Sequence, residues 1–244
     1  MKEQKGVGRM WSLYKMGGVT PAIASMLGSQ NAQLMAFIRN ANREQRKQSI
    51  LDTQLTELEA VVFDLETTGF NPNTGDEIIS FGAVVVRGGE LVEEESFYSL
   101  VNPKRPVPKA ITELTGITNA MVEAAPDLMN VLHDFMAFIG RRLLIAHAAG
   151  HDKQFLNAAL WRTSKVNLNH RVLDTMMIAK WLEPKREGYG LDELLEGSGI
   201  PMLNRHHALD DSIMTAKLWL HYLKRIHARN INTLGDLYAY LSKH

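Results

Sequence analysis

A short apolar run followed by two acids restricts the folds open to this chain of 244 residues. Residues 60–63 read Ala-Val-Val-Phe, a continuous apolar segment that predicts a buried central strand. Asp64 and Glu66 follow, and their spacing places both side chains on one face of that strand. Two buried carboxylates repel each other and lose their hydration. The pair therefore predicts a bound divalent cation, Mg²⁺ or Mn²⁺, or else a strand end at which the acids reach solvent.

A glycine turn predicts a hairpin directly after this strand. Residues 77–86 and 91–101 are rich in Ile, Val, Phe and Tyr, and Arg87-Gly88-Gly89-Glu90 separates them. This early hairpin excludes a purely parallel repeat of strands and helices, so we expect an α/β domain with a mixed sheet. Short apolar segments at 143–146 and 172–173 predict two more strands. The expected helices span 109–115, 127–139, 153–161, 175–182, 191–195 and 208–226, and Thr233 caps a last one.

The first 58 residues differ in texture from the rest of the chain. Thr20-Pro21 predicts a helix start and Gly28 its end, and a second helix is expected from Asn31 to Glu59. The middle of that second helix is basic, with Arg39, Arg43, Arg46 and Lys47. The segment is either an arm that docks a partner or nucleic acid, or a helix whose charged face lies in solvent.

The charge balance and the cysteine count narrow the class of protein. Lys and Arg together number 27, as do Asp and Glu, so the chain lacks the basic excess of many nucleic-acid-binding proteins. The absence of cysteine excludes disulfides and thiolate metal sites. Since no apolar run is long enough to span a bilayer and Met1 to Met10 lack the apolar core of a signal peptide, we expect a cytoplasmic protein without membrane contact.

Three later residues extend the acidic pair. Asp152 follows the 143–146 strand at the point where strand passes into helix, a common position for functional residues. In the 208–226 helix, a period of about 100° per residue places Asp211 inside the apolar arc and Asp210 in the polar wedge. His206 lies in the loop just before this helix, and its pKa near 6.5 suits proton transfer at neutral pH.

Three segments carrying these residues resemble the motifs of the DnaQ-like DEDDh exonucleases, which have the ribonuclease-H-like fold. The first is Phe63-Asp64-Leu65-Glu66-Thr67-Thr68-Gly69. The second is Ala146-His147-Ala148-Ala149-Gly150-His151-Asp152, followed by Phe155-Leu156, and the third is His206-His207-Ala208-Leu209-Asp210-Asp211. The resemblance covers 59–226, which leaves a helical N-terminal extension, 1–58, and a helical C-terminal tail, 227–244.

The resemblance implies a mixed sheet whose first three strands are antiparallel, with helices on both faces. It also implies hydrolytic removal of nucleoside 5′-monophosphates from a nucleic acid 3′ end, with two divalent cations, Mg²⁺ or Mn²⁺, about 4 Å apart. Asp64, Glu66, Asp152 and Asp211 would hold the metals, and His206 would deprotonate the attacking water. Substrate contacts would come from Thr67, Thr68, Gly69, Phe70, Leu114, Thr115, His147 and Phe155.

Some positions depart from the family pattern. Many relatives carry Asn and Phe where this chain has Ala148 and His151. Proofreading subunits of the epsilon type often have His at the position of Thr115, whereas Thr is more similar to the PolC-type editing domains. This difference favours DNA over RNA as the substrate. Residues 1–58 lie outside the resemblance and are a candidate segment for binding a protein partner.

Other classes of function remain open at this point. An RNA 3′–5′ exoribonuclease would carry the same acids, and a non-catalytic nucleic-acid-binding module could share the fold. A phosphatase of the haloacid-dehalogenase kind needs a second Asp two residues after the first, and Glu66 at that position argues against this class. A zinc site is conceivable, although a carboxylate-rich centre prefers harder cations. The histidines available for zinc are His147, His151, His206 and His207.

Overall fold

The computed structural model describes residues 21–45 and 50–242, and a five-stranded mixed sheet forms its centre. The strand order is β3-β2-β1-β4-β5. The first three strands are antiparallel, while β4 and β5 run parallel to β1, so the predicted mixed sheet with an opening hairpin is confirmed. The strands are β1 (Glu59–Thr67), β2 (Ile78–Arg87), β3 (Glu90–Leu100), β4 (Leu143–Ala146) and β5 (Val172–Asp174).

Nine α-helices are present in the described part of the chain, and those predicted after the hairpin all form. They are α1 (Pro21–Glu44), α2 (Lys109–Thr115), α3 (Asn119–Glu123), α4 (Leu128–Ile139), α5 (Gly150–Ser164), α6 (Thr175–Leu182), α7 (Leu191–Ser198), α8 (Ala208–His227) and α9 (Leu234–Leu241). Thr233 caps α9, as predicted, and its hydroxyl accepts a hydrogen bond from the Asp236 amide.

The two faces of the sheet bury two separate apolar cores. Val62 and Val84 face a layer that contains α6 to α9. Phe63 and Phe81 face the opposite layer, in which α4 and α5 pack and to which Ile38 of α1 contributes. Because side chains alternate along a strand, Asp64 and Glu66 share the face of Val62 and point toward the α8 layer.

The prediction for the N-terminal helices was wrong at two points. α1 continues through Gly28 and ends at Glu44, so the chain does not break at the glycine and no helix runs to Glu59. A single helical glycine costs only about 1 kcal/mol, which the burial of Ile38 against the core offsets. The expected cap at Thr20 and the basic residues Arg46 and Lys47 lie outside the described residues.

Residues 51–55 pair with residues 232–235 instead of forming a helix. The Leu55 amide donates to the Asn232 carbonyl at 2.7 Å, and the Gly235 amide donates to the Leu51 carbonyl at 2.7 Å. Leu55 and Leu234 are both buried in the α8-side core. Within residues 21–45 and 50–242, no helix is both long and apolar enough to cross a membrane.

Candidate active site

The end of β1 brings three of the predicted acids together. β4 pairs with β1 only as far as Val62, so β1 extends beyond its parallel neighbour. The Leu65 amide, which lies between the two acids of β1, donates to Oδ1 of Asp152 at 3.2 Å. Asp152 is buried in the first turn of α5. This hydrogen bond therefore fixes the α5 carboxylate at the strand that carries Asp64 and Glu66.

Helix α8 carries the fourth predicted acid, and the predicted burial of Asp211 rather than its neighbour Asp210 is confirmed. Asp211 is buried, whereas the Asp210 side chain stays 23% exposed and lies 3.3 Å from Nδ1 of His207. The buried arc of α8 is rotated relative to the predicted one, because Leu209 and Ile213 are only partly buried. Asp211 lies near the centre of this arc, which also includes Thr215, Leu218 and Tyr222.

A glycine in β2 permits the close approach of α8 to this corner. Gly82 pairs with Asp64 across the antiparallel ladder, so a side chain there would leave the sheet on the face of α8. A Cβ built on Gly82 would lie 2.1 Å from the carbonyl carbon of Ala208 and 2.2 Å from the amide nitrogen of Leu209. The first turn of α8 therefore packs directly on β2, which brings Asp211 toward Asp64.

The four acids perturb one another's ionisation. Burial raises the pKa of Asp64 well above its ordinary value, and the charges of Asp152, Glu66 and Asp211 raise it further. Burial, then the charges of Asp211 and Asp152, raises the pKa of Glu66 to about 8. Burial also raises the pKa of Asp152 to about 7, against hydrogen bonds from backbone amides. A cluster whose members resist ionisation in this way favours a bound cation.

Arg205 and His206 complete the corner on the α8 side. Arg205 makes ion pairs with Asp211 and with Asp192. The His206 amide donates to Oδ2 of Asp211 at 3.1 Å, and the backbone of His206 has a φ of 62° in the left-handed region. Burial raises the pKa of Asp211, while Arg205 and the His206 amide lower it. These contacts couple the loop before α8 to its buried carboxylate.

The donor atoms of this corner fit a divalent cation. Among the described residues, Glu66, His206 and Asp211 present ligand atoms that all lie within 4.8 Å of one another. Asp64 and Asp152 share the same electrostatic cluster. Carboxylate oxygens predominate, as Mg²⁺ and Mn²⁺ prefer. His206 is close enough to ligate a metal as well as to act as a base.

The turn between β4 and α5 is held in place by hydrogen bonds to the side chain of Asp174. The amides of Ala148 and Ala149 donate to the two oxygens of Asp174, each at 3.0 Å. Ala148 adopts a φ of 51°, a conformation that Asn tolerates better than Ala. His147 lies 2.9 Å from the Thr175 hydroxyl through Nδ1, and its Nε2 is buried without a hydrogen-bond partner among the described residues.

The loop after β1 is braced internally. The Thr67 hydroxyl donates to the Gly69 carbonyl at 2.6 Å, and the Thr68 hydroxyl donates to Asp76 at 3.2 Å while accepting from the Glu77 amide at 3.0 Å. A Cβ on Gly69 would lie 2.4 Å from the Asp76 carboxylate. A side chain at residue 69 would therefore have to displace the Asp76 carboxylate, which accepts the hydrogen bond from Thr68.

Of the two phenylalanines expected to contact the substrate, Phe70 is exposed to solvent and Phe155 is buried. Phe70 is 83% exposed, and its ring centroid lies 6.1 Å from that of His151. Phe155 is 2% exposed and packs 4.7 Å below the His151 ring. This burial contradicts a direct substrate contact for Phe155, which supports His151 instead. His151 occupies the position between the buried core and the exposed Phe70.

The segment around α2 offers one exposed apolar side chain and one engaged hydroxyl. Leu114 is 48% exposed. The Thr115 hydroxyl donates to the Ile111 carbonyl at 2.8 Å and accepts from the Ile117 amide at 3.1 Å, so it caps the end of α2. The side chain of Leu114 is therefore available for contact, whereas that of Thr115 maintains the turn.

Two positions important to this site, Gly82 and Arg205, were missed in the sequence, and a third, Asp174, falls in the order of the family pattern but was assigned no role. Gly82 interrupts a strand, which is a recognised signal of close backbone approach. Asp174 directly precedes a helix, where an Asp is an ordinary cap, and nothing local reveals its bonds to the turn at 148–149. Arg205 carries no signal that separates it from a surface arginine, because its acidic partners are distant in sequence or belong to the site itself.

Comparisons with known proteins place this chain among nucleases. The model of the RNase_T family, described as an exonuclease, matches residues 61–219. A DNA polymerase III subunit epsilon-like protein of Rhodobacter capsulatus is 39% identical over 198 residues, 80% of this chain and 28% of the relative. A PolC-type DNA polymerase III of Bacillus subtilis is 39% identical over 178 residues, 72% of this chain and 12% of the relative. The chain thus spans less than a third of either relative's length.

Solved structures share the fold. Exonuclease X, determined in complex with 5′ overhanging duplex DNA, is 25% identical with a TM-score of 0.56, covering 68% of this chain and 92% of that one. The nuclease domain of 3′hExo, a DEDDh family member bound to rAMP, is 23% identical with a TM-score of 0.61 and the same coverage. The mixed sheet with flanking helices is therefore the ribonuclease-H-like fold of the DEDD exonucleases.

Proposed function

The chain belongs to the RNase_T family of DnaQ-like DEDDh 3′–5′ exonucleases, which are hydrolases, and on this premise we propose that it removes nucleoside 5′-monophosphates from DNA 3′ ends. The observation that carries the proposal is the convergence of Asp64, Glu66, Asp152 and Asp211 from β1, α5 and α8 into one corner with raised pKa values. His206 lies at the same corner. Four buried carboxylates in one place repel one another more than the single Arg205 guanidinium offsets, and a bound divalent cation would compensate the rest.

The roles of the protein's own side chains follow from their positions. The four carboxylates would hold two divalent cations, Mg²⁺ or Mn²⁺, which supply positive charge for a phosphodiester and acidity for a water when bound. His206 would accept the proton of the attacking water, as its place beside Glu66 and Asp211 allows. Water attacks phosphorus, the bond to the 3′ oxygen of the preceding nucleotide breaks, and the terminal nucleotide leaves as a 5′-monophosphate. Arg205 would hold Asp211 in place.

The terminal nucleotide would lie against the exposed surface beside these acids. We assign its base and sugar to Phe70 and Leu114, which expose 83% and 48% of their surface. The backbone of Thr67, Thr68 and Gly69 would frame the pocket, with the two hydroxyls bracing that loop. Thr115 would act through the turn that it caps. His147, whose pKa is lowered by burial and whose Nδ1 lies 2.9 Å from the Thr175 hydroxyl, would support the wall of the pocket.

DNA is the favoured substrate class, and proofreading or repair is the favoured type of reaction. The support is the 39% sequence identity to an epsilon-like protein and to a PolC-type polymerase. The chain spans 28% of the first relative and 12% of the second. RNA is the second candidate, because the 3′hExo nuclease domain was determined with rAMP. We further propose a cytoplasmic location, the domain limits 59–226, and a protein-docking role for part of residues 1–58.

A substrate panel tests the proposed activity. Single- and double-stranded DNA and RNA, labelled at the 5′ end, would be incubated with Mg²⁺ or Mn²⁺ beside a Glu66→Ala control. The expected result is metal-dependent release of mononucleotides, faster on DNA and absent in the control. Wild-type protein that releases no nucleotide from any member of the panel with either metal would refute the proposal and favour a binding module.

A second experiment separates two roles for His206. His206→Ala should lower turnover by about 10²–10⁴-fold while Mn²⁺ binding, followed by titration calorimetry, persists. If Mn²⁺ affinity falls together with turnover, His206 is a metal ligand and not the base.

A further inference from the structure

A basic, aromatic depression lies outside the candidate active site, between α1 and the C-terminal end of α5. Trp161 is 53% exposed there, and the Lys165 ammonium lies 5.8 Å above its ring centroid. Arg39 and Arg43 line the opposite side on α1, and the depression has a volume of about 420 Å³. Among the residues that line it within the described part of the chain, none is acidic. In a chain with no net charge, this is a local concentration of positive charge.

The surface is built rigidly, because α1 is tied to the loop after α5. The Arg39 Nε donates to the Ser164 carbonyl at 2.7 Å. The Asn42 amide group donates to the Asn167 carbonyl at 2.6 Å, and the Asn169 amide proton is accepted by the Asn42 side chain at 2.9 Å. These bonds join residues more than 120 positions apart and hold the cations beside the indole.

The cations are available to a ligand. Arg43 and Lys165 have no carboxylate partner among residues 21–45 and 50–242, and both side chains are exposed. The Arg39 Nε is used on the Ser164 carbonyl, but its guanidinium has further N–H donors. A half-exposed indole bordered by cations that have no carboxylate partner in the described part of the chain matches the two components of single-strand recognition, a stacking platform and phosphate-binding charges.

We propose that this depression binds single-stranded nucleic acid at a distance from the 3′ end. The proposal rests on the proposed nuclease function for its choice of substrate class. Trp161 stacks on a base, while Arg43 and Lys165 bind the adjacent phosphates. Asp152 and Trp161 are nine residues apart on α5, about 14 Å along the helix, a distance that corresponds to about four nucleotides at a stacked rise of 3.4 Å and to fewer in an extended strand. A dinucleotide is too short to reach the depression from the active site.

The test is binding of labelled oligonucleotides by the full chain in EDTA, where hydrolysis is suppressed. Trp161→Ala should weaken binding of a 20-nucleotide strand by at least about fivefold, and Trp161→Phe should restore most of it. The double variant Arg43→Glu, Lys165→Glu should weaken it by at least about tenfold. It should also reduce the salt slope by about 1.4, since two phosphate contacts are lost. The control Lys224→Glu reverses an exposed charge on α8 and should leave affinity unchanged.

Three outcomes would overturn the proposal. The first is wild-type affinity in both Trp161→Ala and the double variant. The second is an equal loss in the Lys224→Glu control. The third is an equal loss of hydrolysis on a dinucleotide with Mn²⁺, which would place the effect at the active site. DNA, RNA and duplex versions of the 20-mer identify the preferred strand. Wild-type protein that binds the 20-mer in EDTA but hydrolyses nothing with metal would refute the nuclease proposal while leaving this one intact.

Discussion

Substitution of Gly82 by alanine tests whether close packing of α8 on β2 assembles the active site. The added Cβ would lie 2.1 Å from the Ala208 carbonyl carbon, where ordinary contacts begin at 3.4 Å, so the first turn of α8 must retreat by about 1.3 Å. Both neighbours are backbone atoms of one helix, so no side chain can rotate to relieve the clash. We expect a loss of about 1–3 kcal/mol in the free energy of unfolding, the usual cost of overpacking.

The same displacement carries Asp211 away from Asp64. A misplacement of about 1 Å at a reacting centre costs on the order of 10²-fold in rate, so activity on a DNA 3′ end should fall by about that factor in protein that is still folded. Urea unfolding measures the loss in the free energy of unfolding, and mononucleotide release with saturating Mn²⁺ measures the loss in rate. Gly28→Ala is the matched control, because a Cβ there meets nothing within 4 Å in the middle of α1 and should stabilise slightly. Wild-type stability and rate in Gly82→Ala would refute the reasoning.

Further substitutions and conditions test the carboxylate cluster and the turn beside it. Asp64→Asn should abolish hydrolysis yet raise the melting temperature in EDTA, because it replaces a buried carboxyl, whose ionisation is opposed by burial and by three neighbouring acids, with a neutral amide. Asp211→Ala should also abolish hydrolysis, whereas Asp210→Ala, at a side chain that is 23% exposed, should keep at least about half the rate; the reverse order would show that α8 presents the other acid. Because burial raises the pKa of Glu66 from 4.5 to about 8, this group contributes stability that is complete below pH 4.5 and lost as pH rises through about 8. Urea midpoints in EDTA should therefore fall between about pH 5 and about pH 8, and Mg²⁺, which binds the charged form, should reverse that fall; a flat profile in EDTA would contradict the assigned burial. Ala148→Gly should stabilise by about 0.5–1 kcal/mol in urea titration, since it relieves a left-handed backbone at φ 51°, and a destabilised variant would show that the alanine methyl is needed for packing.

Local patterns in the sequence were sufficient to predict those features whose determining contacts are close together in the chain or repeat with a fixed period. The apolar run before Asp64 predicted the central strand, and the glycine turn at 88–89 predicted the hairpin. The phase of α8 separated Asp211 from Asp210 because a helix with one buried face repeats every 3.6 residues. Caps such as Thr233 were recognised since their hydrogen bonds close within three residues.

Tertiary structure decided the features that depend on contacts between distant segments. No helix extends to Glu59 because residues 51–55 pair with residues 232–235, about 180 positions later. Phe155 is buried, and not exposed to substrate, because its ring packs against that of His151. Arg205 lies at the site because it forms ion pairs with Asp192 and Asp211. Likewise, the absence of a side chain at Gly82 matters only because α8 returns to lie on that strand. Sequence periodicity records which face of an element is buried, but which element covers that face is determined by the packing of the whole chain.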